Sequence, residues 1–234
     1  MFRMKYFYLP MMLWAFSCME GAGQTDVHQL AQFERYALQN QELQSSQTVK
    51  GRVVFMGNSI TENWAKMRPD FFTKYNYIGR GISGQTSYQF LLRFRQDVIN
   101  LHPEIVVINA ATNDIAENTG KYNEDYTMGN IVSMVELAEA NGIKVILTTT
   151  LPAAAFGWNP SIKNAPEKIV SLNERIRKYA EKKAIPFVDY YSSMVRTSDK
   201  ALLPSYTQDG VHPTAEGYQV MEGLIKPVVD RLLK

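Results

Sequence analysis

Short runs of apolar residues alternate along the chain with longer stretches in which apolar residues recur every three or four positions. Five of the runs are rich in branched and aromatic residues, and they predict β-strands at 52–57, 75–81, 104–110, 143–150 and 185–190. The stretches with helical spacing predict helices at 26–44, 86–101, 123–142, 163–183 and 216–233. After one leading helix, strands and helices are thus expected to alternate.

Nearly continuous apolar strands separated by helices are typical of a parallel sheet with helices on both faces. Right-handed crossovers favour a doubly wound sheet, for which we expect the strand order 2-1-3-4-5. We therefore predict one α/β domain over residues 51–234, preceded by an N-terminal helical segment at 24–50. A domain of this size can bury a full hydrophobic core.

The first 23 residues have the layout of a secretory signal peptide. Arg3 and Lys5 precede an apolar run, and small residues follow it. The run is too short to span a membrane. Cleavage after Gly23 is the favoured interpretation, and a lipid anchor on Cys18 is the alternative; either predicts an exported protein. Cys18 is the only cysteine, so a chain cleaved after Gly23 has no thiol for disulfides or catalysis.

Charge and histidine content exclude several kinds of partner. The formal net charge is only +2 at pH 7 and the basic residues form no block, so no nucleic acid partner is expected. The three histidines, His28, His102 and His212, show none of the paired spacings of metal ligands. We therefore expect no metal site.

Residues that can do chemistry follow the predicted strands. Ser59 comes after the first strand, Gly84 after the second and Asn113 after the third. Asp209 and His212 lie beyond the fifth strand. In a doubly wound sheet, the site lies just past the carboxyl ends of the strands, so these residues are expected at one edge.

This set of groups suits acyl transfer. Ser59 can attack a carbonyl once a base removes its proton, and His212 is the natural base near neutral pH. Asp209, three residues earlier, can fix the histidine tautomer. The backbone amides of Ser59 and Gly84 and the side chain of Asn113 can donate to the developing oxyanion.

Four short blocks carry these residues in order, namely GNSIT, GISGQTS, AATND and DGVHP, and they span residues 57–213. On these blocks the chain resembles the SGNH hydrolases, also called the GDSL lipase/acylhydrolase family. The resemblance implies a flavodoxin-like three-layer α/β/α sandwich with a five-stranded parallel sheet. It also implies an esterase, lipase, thioesterase or carbohydrate deacetylase that uses no metal or organic cofactor.

The same resemblance implies a role for each residue. Ser59 corresponds to the nucleophile, and Asp209 and His212 complete its triad. Ser59, Gly84 and Asn113 correspond to the oxyanion-hole donors. Two positions depart from the family pattern: Asn58 stands where the first block usually has Asp, and Ala111 stands where the third block usually has Gly. Neither departure removes a catalytic group.

A long loop follows the fourth predicted strand and carries Phe156 and Trp158. We predict that these aromatic residues wall the acyl or sugar pocket; the alternative is that they only anchor the loop. The predicted substrate is a small acyl ester, above all an acetyl ester on a carbohydrate. A lysophospholipid or another lipid or thioester is the alternative. Oligomeric state cannot be derived from the sequence.

Two rival functions come from the same sequence. The stretch GRGISG at 79–84 matches the dinucleotide-binding pattern Gly-x-Gly-x-x-Gly. It follows the second strand rather than the first, and the acidic residue about twenty positions on, Glu104, opens a strand instead of ending one. The other rival is a non-catalytic glycan-binding protein, which the complete set of catalytic residues disfavours.

Overall fold

A computed structural model describes residues 26–45 and 50–234 of the chain. The signal peptide predicted at residues 1–23 and the lipid-anchor alternative at Cys18 lie outside the described residues and stay predictions. Residues 24, 25 and 46–49 of the predicted N-terminal segment also lie outside them.

Five parallel strands form the central sheet in the order β2-β1-β3-β4-β5. They are β1 (Val53–Gly57), β2 (Tyr77–Gly81), β3 (Ile105–Ile108), β4 (Lys144–Thr148) and β5 (Phe187–Val188). The predicted sheet and its strand order are confirmed. The fifth strand has only two residues, because Asp189 caps the next helix by accepting a hydrogen bond from the backbone of Ser192.

Helices cover both faces of this sheet. The α-helices are α1 (Val27–Ala31), α2 (Ala37–Ser45), α3 (Ser59–Met67), α4 (Pro69–Lys74), α5 (Ser87–Asp97), α6 (Thr112–Ile115), α7 (Glu124–Ala140), α8 (Ala165–Lys183), α9 (Tyr190–Met194) and α10 (Ala215–Leu232). Single turns of 3₁₀-helix occupy Phe33–Tyr36, Ile99–Leu101 and Pro204–Tyr206. A small antiparallel hairpin joins β6 (Val195–Arg196) to β7 (Ala201–Leu202).

The leading helix predicted at 26–44 is divided into three short helices. Gln32 takes a left-handed conformation with φ 53°, which ends α1 before the 3₁₀ turn and α2 begin. Residues in this conformation cannot continue a right-handed helix. The apolar spacing alone did not reveal this break.

Alternate residues of each strand supply the cores on the two faces of the sheet. On β1, Val54 and Met56 join a core shared with α5, α7 and α8. Phe55 points the other way, and its ring lies 5.5 Å from that of Trp64 on α3. Burial of each large apolar side chain contributes about 1.5–3 kcal/mol, so these two layers hold the strand ends in place.

Two glycines let α3 pack directly against the strand ends. A Cβ added to Gly57 would lie 2.0 Å from Oγ1 of Thr61, and one added to Gly81 would lie 2.2 Å from the backbone nitrogen of Glu62. Real side chains do not tolerate such distances, so both positions require glycine. The first turn of α3 thereby sits against β1 and β2.

Candidate active site

Ser59 lies where β1 gives way to α3. The side-chain oxygen of Asn58 accepts a hydrogen bond from the backbone nitrogen of Ile60 at 3.0 Å and so caps the helix. Within residues 26–45 and 50–234, Nδ2 of Asn58 is buried and has no hydrogen-bond partner. The amide oxygen therefore does the capping that an aspartate oxygen would do, and the departure at this position leaves the helix start intact.

His212 and Asp209 form a hydrogen-bonded chain with Ser59. Nε2 of His212 lies 2.8 Å from Oγ of Ser59, and Nδ1 lies 2.6 Å from Oδ2 of Asp209. With a proton on Nδ1, the ring donates to the carboxylate and leaves Nε2 to accept from the serine hydroxyl. The structure thus brings together three predicted residues that lie up to 153 positions apart.

The carboxylate of Asp209 is held by its own loop. Its Oδ1 accepts hydrogen bonds from the backbone nitrogens of Val211 at 2.9 Å and His212 at 2.8 Å. Burial raises the pKa of Asp209, but the hydrogen bonds from His212 and Val211 outweigh it and lower the pKa to about 2. Asp209 is therefore ionised throughout the pH range in which a histidine base works.

Gly84 lies on the loop between β2 and α5, and it lines the same cavity as His212. Its φ is +80°, a conformation that glycine adopts far more readily than other residues. A Cβ there would meet nothing within 4 Å, so backbone conformation rather than space favours glycine. Its carbonyl accepts a hydrogen bond from Nδ2 of Asn118 at 3.0 Å.

Asn113 lies in α6, just past β3. Its Nδ2 donates one hydrogen bond to the carbonyl of Gln85 at 2.9 Å, which leaves the second amide hydrogen for another acceptor. Ala111, directly before this helix, has φ +87°. A left-handed conformation of this kind costs roughly 1–2 kcal/mol for a residue with a Cβ, which explains why the family usually has glycine there. Its methyl group is buried.

An open cavity of about 380 Å³ lies beside Ser59. Its lining combines the predicted residues with polar side chains that sequence reasoning missed: Ser59, Asn63, Ser83, Gly84, Asn113, Asn118, Trp158 and His212. Helical spacing offered a signal for Asn63, because a residue four positions after Ser59 on a helix lies on the same face. No sequence signal pointed to Asn118, whose position depends on the loop after α6.

The two predicted aromatic residues have different surroundings. Trp158 lines the cavity with 47% of its surface exposed, and its Nε1 donates to Oδ1 of Asn118 at 2.9 Å. Phe156 is 0% exposed and does not line the cavity, and its ring lies 5.3 Å from that of Trp158. Phe156 therefore packs against Trp158 in the core, and only Trp158 of the two lines the cavity.

The glycines of the stretch GRGISG have structural roles. Gly81 admits the backbone of α3, and a Cβ added to Gly79 would lie 2.8 Å from Cβ of Ala65 on the same helix. Gly84 alone has the left-handed backbone of a loop. Helix packing and the turn at Gly84 thus account for all three glycines without a dinucleotide.

Among the described residues, no three His, Cys, Asp or Glu side chains are grouped so that they can hold a metal ion. In that same part of the chain, every helix is too short or too polar to cross a membrane.

The fold and the Ser59–His212–Asp209 arrangement are those of a serine hydrolase. The model of the GDSL-like lipase/acylhydrolase family matches residues 55–220, well over half of the chain. The chain therefore belongs to the GDSL-like lipase/acylhydrolase family, which places it among enzymes that hydrolyse esters.

Three similar proteins illustrate this membership. A candidate acylhydrolase from Bacteroides fragilis, known from its crystal structure, is 70% identical in sequence. The two structures match with a TM-score of 0.85 over 87% of this chain and 98% of that one. A GDSL-like lipase from Bacteroides thetaiotaomicron is 63% identical, with a TM-score of 0.84 over 86% and 98% of the two chains. An acetylxylan esterase of Xylanibacter ruminicola is 22% identical over 76% of this chain, and the match spans only 43% of that longer protein.

Proposed function

We propose that this protein is an exported esterase that removes a small acyl group, most simply acetyl, from a carbohydrate. The observation that carries the proposal is the continuous hydrogen-bonded chain from Ser59 through His212 to Asp209, at the edge of a cavity that Gly84 and Asn113 also line. This arrangement supplies the nucleophile, its base and candidate oxyanion donors in one place.

The reaction follows from these positions. Oγ of Ser59 attacks the ester carbonyl carbon while Nε2 of His212 takes the hydroxyl proton. The carbonyl oxygen becomes an oxyanion, which the backbone amides of Ser59 and Gly84 and Nδ2 of Asn113 stabilise. When the C–O bond breaks, His212 returns the proton to the departing alcohol and leaves an acyl-serine.

Water completes the cycle by the same route. His212 removes a proton from a water molecule, whose oxygen attacks the acyl carbon. The second tetrahedral intermediate collapses, Oγ of Ser59 regains its proton, and the carboxylic acid leaves. Asp209 stabilises the imidazolium ring in both halves of the reaction, since its carboxylate is ionised.

The lining of the cavity supports a small acyl group on a sugar. The half-exposed indole of Trp158 is held by its hydrogen bond to Asn118, so it offers a flat apolar surface for a sugar ring. Asn63 and Asn118 place amide groups beside it, and these suit hydroxyl groups better than acyl chains. The resemblance to an acetylxylan esterase points in the same direction.

Hydrolysis of p-nitrophenyl acetate, butyrate and octanoate, together with acetylated xylo-oligosaccharides, tests the proposal. The wild type is compared with Ser59→Ala and with Ser198→Ala, which removes an exposed hydroxyl elsewhere. We expect a preference for acetyl esters and a loss of about 10³-fold or more in kcat for Ser59→Ala only. Near-normal turnover by Ser59→Ala would remove the nucleophile assignment. Preference for octanoate would favour a lipid substrate instead.

A further inference from the structure

The N-terminal segment, Asp26–Ser45, lies outside the stretch 55–220 that defines the family, yet it contacts the loop that carries Gly84. It packs beside α5 and past the carboxyl end of β2. Besides its hydrogen bonds to Gln89 and Gln96 on α5, three sets of hydrogen bonds connect it to the strand end and the loop around Gly84.

The first connection runs through Glu62 on α3. Oε1 of Glu62 accepts a hydrogen bond from Nη2 of Arg35 at 2.7 Å and another from Lys66 at 2.7 Å. Its Oε2 accepts from the backbone nitrogen of Ser83 at 2.8 Å and from its hydroxyl at 2.6 Å. One carboxylate therefore joins the N-terminal segment to the residue directly before Gly84.

The side chain of Glu62 is ionised at neutral pH. Its side chain is only 8% exposed, and burial raises its pKa. Hydrogen bonds from Lys66, Ser83 and Arg35 outweigh burial and lower the pKa of Glu62 to about 2. At neutral pH the carboxylate is thus a permanent acceptor for the Ser83 backbone.

The second connection runs through the buried side chain of Gln85. Its Nε2 donates to the carbonyl of Ala31 at 2.9 Å, and its Oε1 accepts from Nε of Arg93 at 2.6 Å. The backbone carbonyl of the same residue accepts the hydrogen bond from Nδ2 of Asn113. The amide of Asn113 is therefore oriented by a residue that the N-terminal segment holds in place.

The third connection reaches the end of β2. The hydroxyl of Tyr36 donates to the carbonyl of Gly81. Next to it, Asn40 donates to Asp97 at 2.6 Å and accepts from Nε of Arg80 at 3.0 Å. Asn40, Arg80 and Asp97 are all buried, so the N-terminal segment is fixed by hydrogen bonds shielded from water.

Gly84 needs such support because packing does not hold it. Ser83 and Gly84 are exposed, and the space around Gly84 is empty to 4 Å on the side where a Cβ would be. Hydrogen bonds at Ser83, Gly84 and Gln85 are therefore the main restraints on this short loop. An oxyanion donor acts only from the correct position, and a displacement of about 1 Å can cost about 10²-fold in rate.

We propose that the N-terminal segment is a positioning element that holds the Gly84 amide and the Asn113 side chain in the geometry the oxyanion requires. The inference rests on the proposed function, since it concerns the same oxyanion site. It assigns a role in turnover to Arg35 and Tyr36, neither of which lines the cavity beside Ser59.

The test uses the double variant Arg35→Ala/Tyr36→Phe in the full chain. It removes the Arg35–Glu62 and Tyr36–Gly81 hydrogen bonds without changing a cavity residue. Arg196→Ala, which removes another half-exposed arginine–carboxylate pair far along the chain, is the matched control. Arg35→Lys, which keeps the cation beside Glu62, tests rescue. Hydrolysis of p-nitrophenyl acetate is normalised to the amount of enzyme labelled at Ser59 by a fluorophosphonate.

We expect the double variant to lose about tenfold in kcat with KM changed less than about twofold, because the oxyanion forms only after binding. Arg35→Lys and Arg196→Ala should stay within about twofold of the wild type. Amide hydrogen exchange of the peptide covering residues 81–86 should be faster in the double variant and unchanged in Arg196→Ala.

Two results would overturn the inference. One is an unchanged kcat per labelled site in the double variant, even if its melting temperature falls. That result would mean that the segment only stabilises the fold. The other is unchanged exchange at residues 81–86. If the double variant fails to fold, Tyr36→Phe alone, which removes a single hydroxyl, takes its place in both measurements. Absence of Ser59-dependent turnover in the wild type would instead refute the proposed function, and the exchange data would still show whether the segment restrains the loop.

Discussion

The two halves of the candidate active site are built in different ways. Asp209 and His212 lie on one surface loop, and the carboxylate has 54% of its side chain exposed. The hydrogen bonds that Asp209 accepts from Val211 and His212 come from residues two and three positions away along the chain. Asn113, which lines the same cavity, is only 2% exposed, and its partner Gln85 is 28 positions away.

This difference separates local from tertiary control. The Asp209 carboxylate is held by hydrogen bonds from its own loop, whereas the proposed oxyanion side depends on β2, α3, α5, α6 and the N-terminal segment together. Substitutions in the loop should therefore lower rate alone. Substitutions on the oxyanion side should lower both rate and stability, because buried partners are left without hydrogen bonds.

The largest effect is expected for His212→Ala. Loss of the base should lower kcat by about 10³-fold or more, as for the other members of a triad. Because the ring is partly exposed and the loop keeps the hydrogen bonds from the backbone of Val211 and position 212 to Asp209, the melting temperature should change by less than about 2 °C. Steady-state kinetics and calorimetry measure the two quantities. A large fall in melting temperature would show that the base loop is not locally determined.

Asn113→Ala is expected to lower both the catalytic rate and the stability of the fold. Removal of an oxyanion donor should lower kcat by about 10²–10³-fold. The buried carbonyl of Gln85 loses its partner as well, which should lower the free energy of unfolding by about 1–3 kcal/mol. Urea denaturation beside the kinetics checks both. Full stability with reduced rate would make the two halves of the site alike.

Acidification should inactivate the enzyme through His212 and not through Asp209. A protonated imidazole cannot accept the serine proton, so a histidine base predicts that kcat/KM falls as the solution is made acidic. Asp209 has a pKa of about 2 and stays ionised in mildly acidic solution. The measurement is a pH profile with constant ionic strength. A flat profile would argue against His212 as the base.

Trp158→Ala and Phe156→Ala should separate binding from folding on the loop after β4. Trp158→Ala should raise KM for an acetylated xylo-oligosaccharide about tenfold, since an exposed aromatic surface is lost, with little effect on p-nitrophenyl acetate. Phe156→Ala should instead destabilise the fold by about 3–5 kcal/mol, because its ring is fully buried. Equal effects of Trp158→Ala on both substrates would remove the sugar-platform role.

The smallest effect concerns acid stability at Glu62. Its pKa is about 2 in the folded chain against an ordinary 4.5, so its stabilising contribution is complete above about pH 4.5 and is lost as pH falls toward 2. Glu62→Gln should therefore lose less stability than the wild type between pH 7 and pH 3. Urea midpoints at several pH values measure this, with exposed Glu136→Gln as control. If the urea midpoints of Glu62→Gln and the wild type fell equally with pH, the ionised Glu62 carboxylate would not contribute to stability as predicted.

The sequence by itself determined the five strands, their parallel sheet and the order of the catalytic blocks. Buried parallel strands require continuous apolar runs, and these are visible without any tertiary information. Ser59, Gly84, Asn113, Asp209 and His212 were visible for a related reason. Each follows a strand of a sheet whose carboxyl edge holds the site, so position along the chain implied position in space.

Only the tertiary structure decided how these groups are supported. The apolar pattern did not show the break at Gln32 or the burial of Phe156, and the links through Glu62 and Gln85 depend on residues distant in sequence. Gln85 and Ala31, for example, are 54 positions apart. Local periodicity reports which face of an element is apolar, but it carries no information about which distant polar group a buried side chain will meet. Those contacts are set by the packing of whole elements, and here they link the N-terminal segment to the loop around Gly84 and, through Gln85, to Asn113.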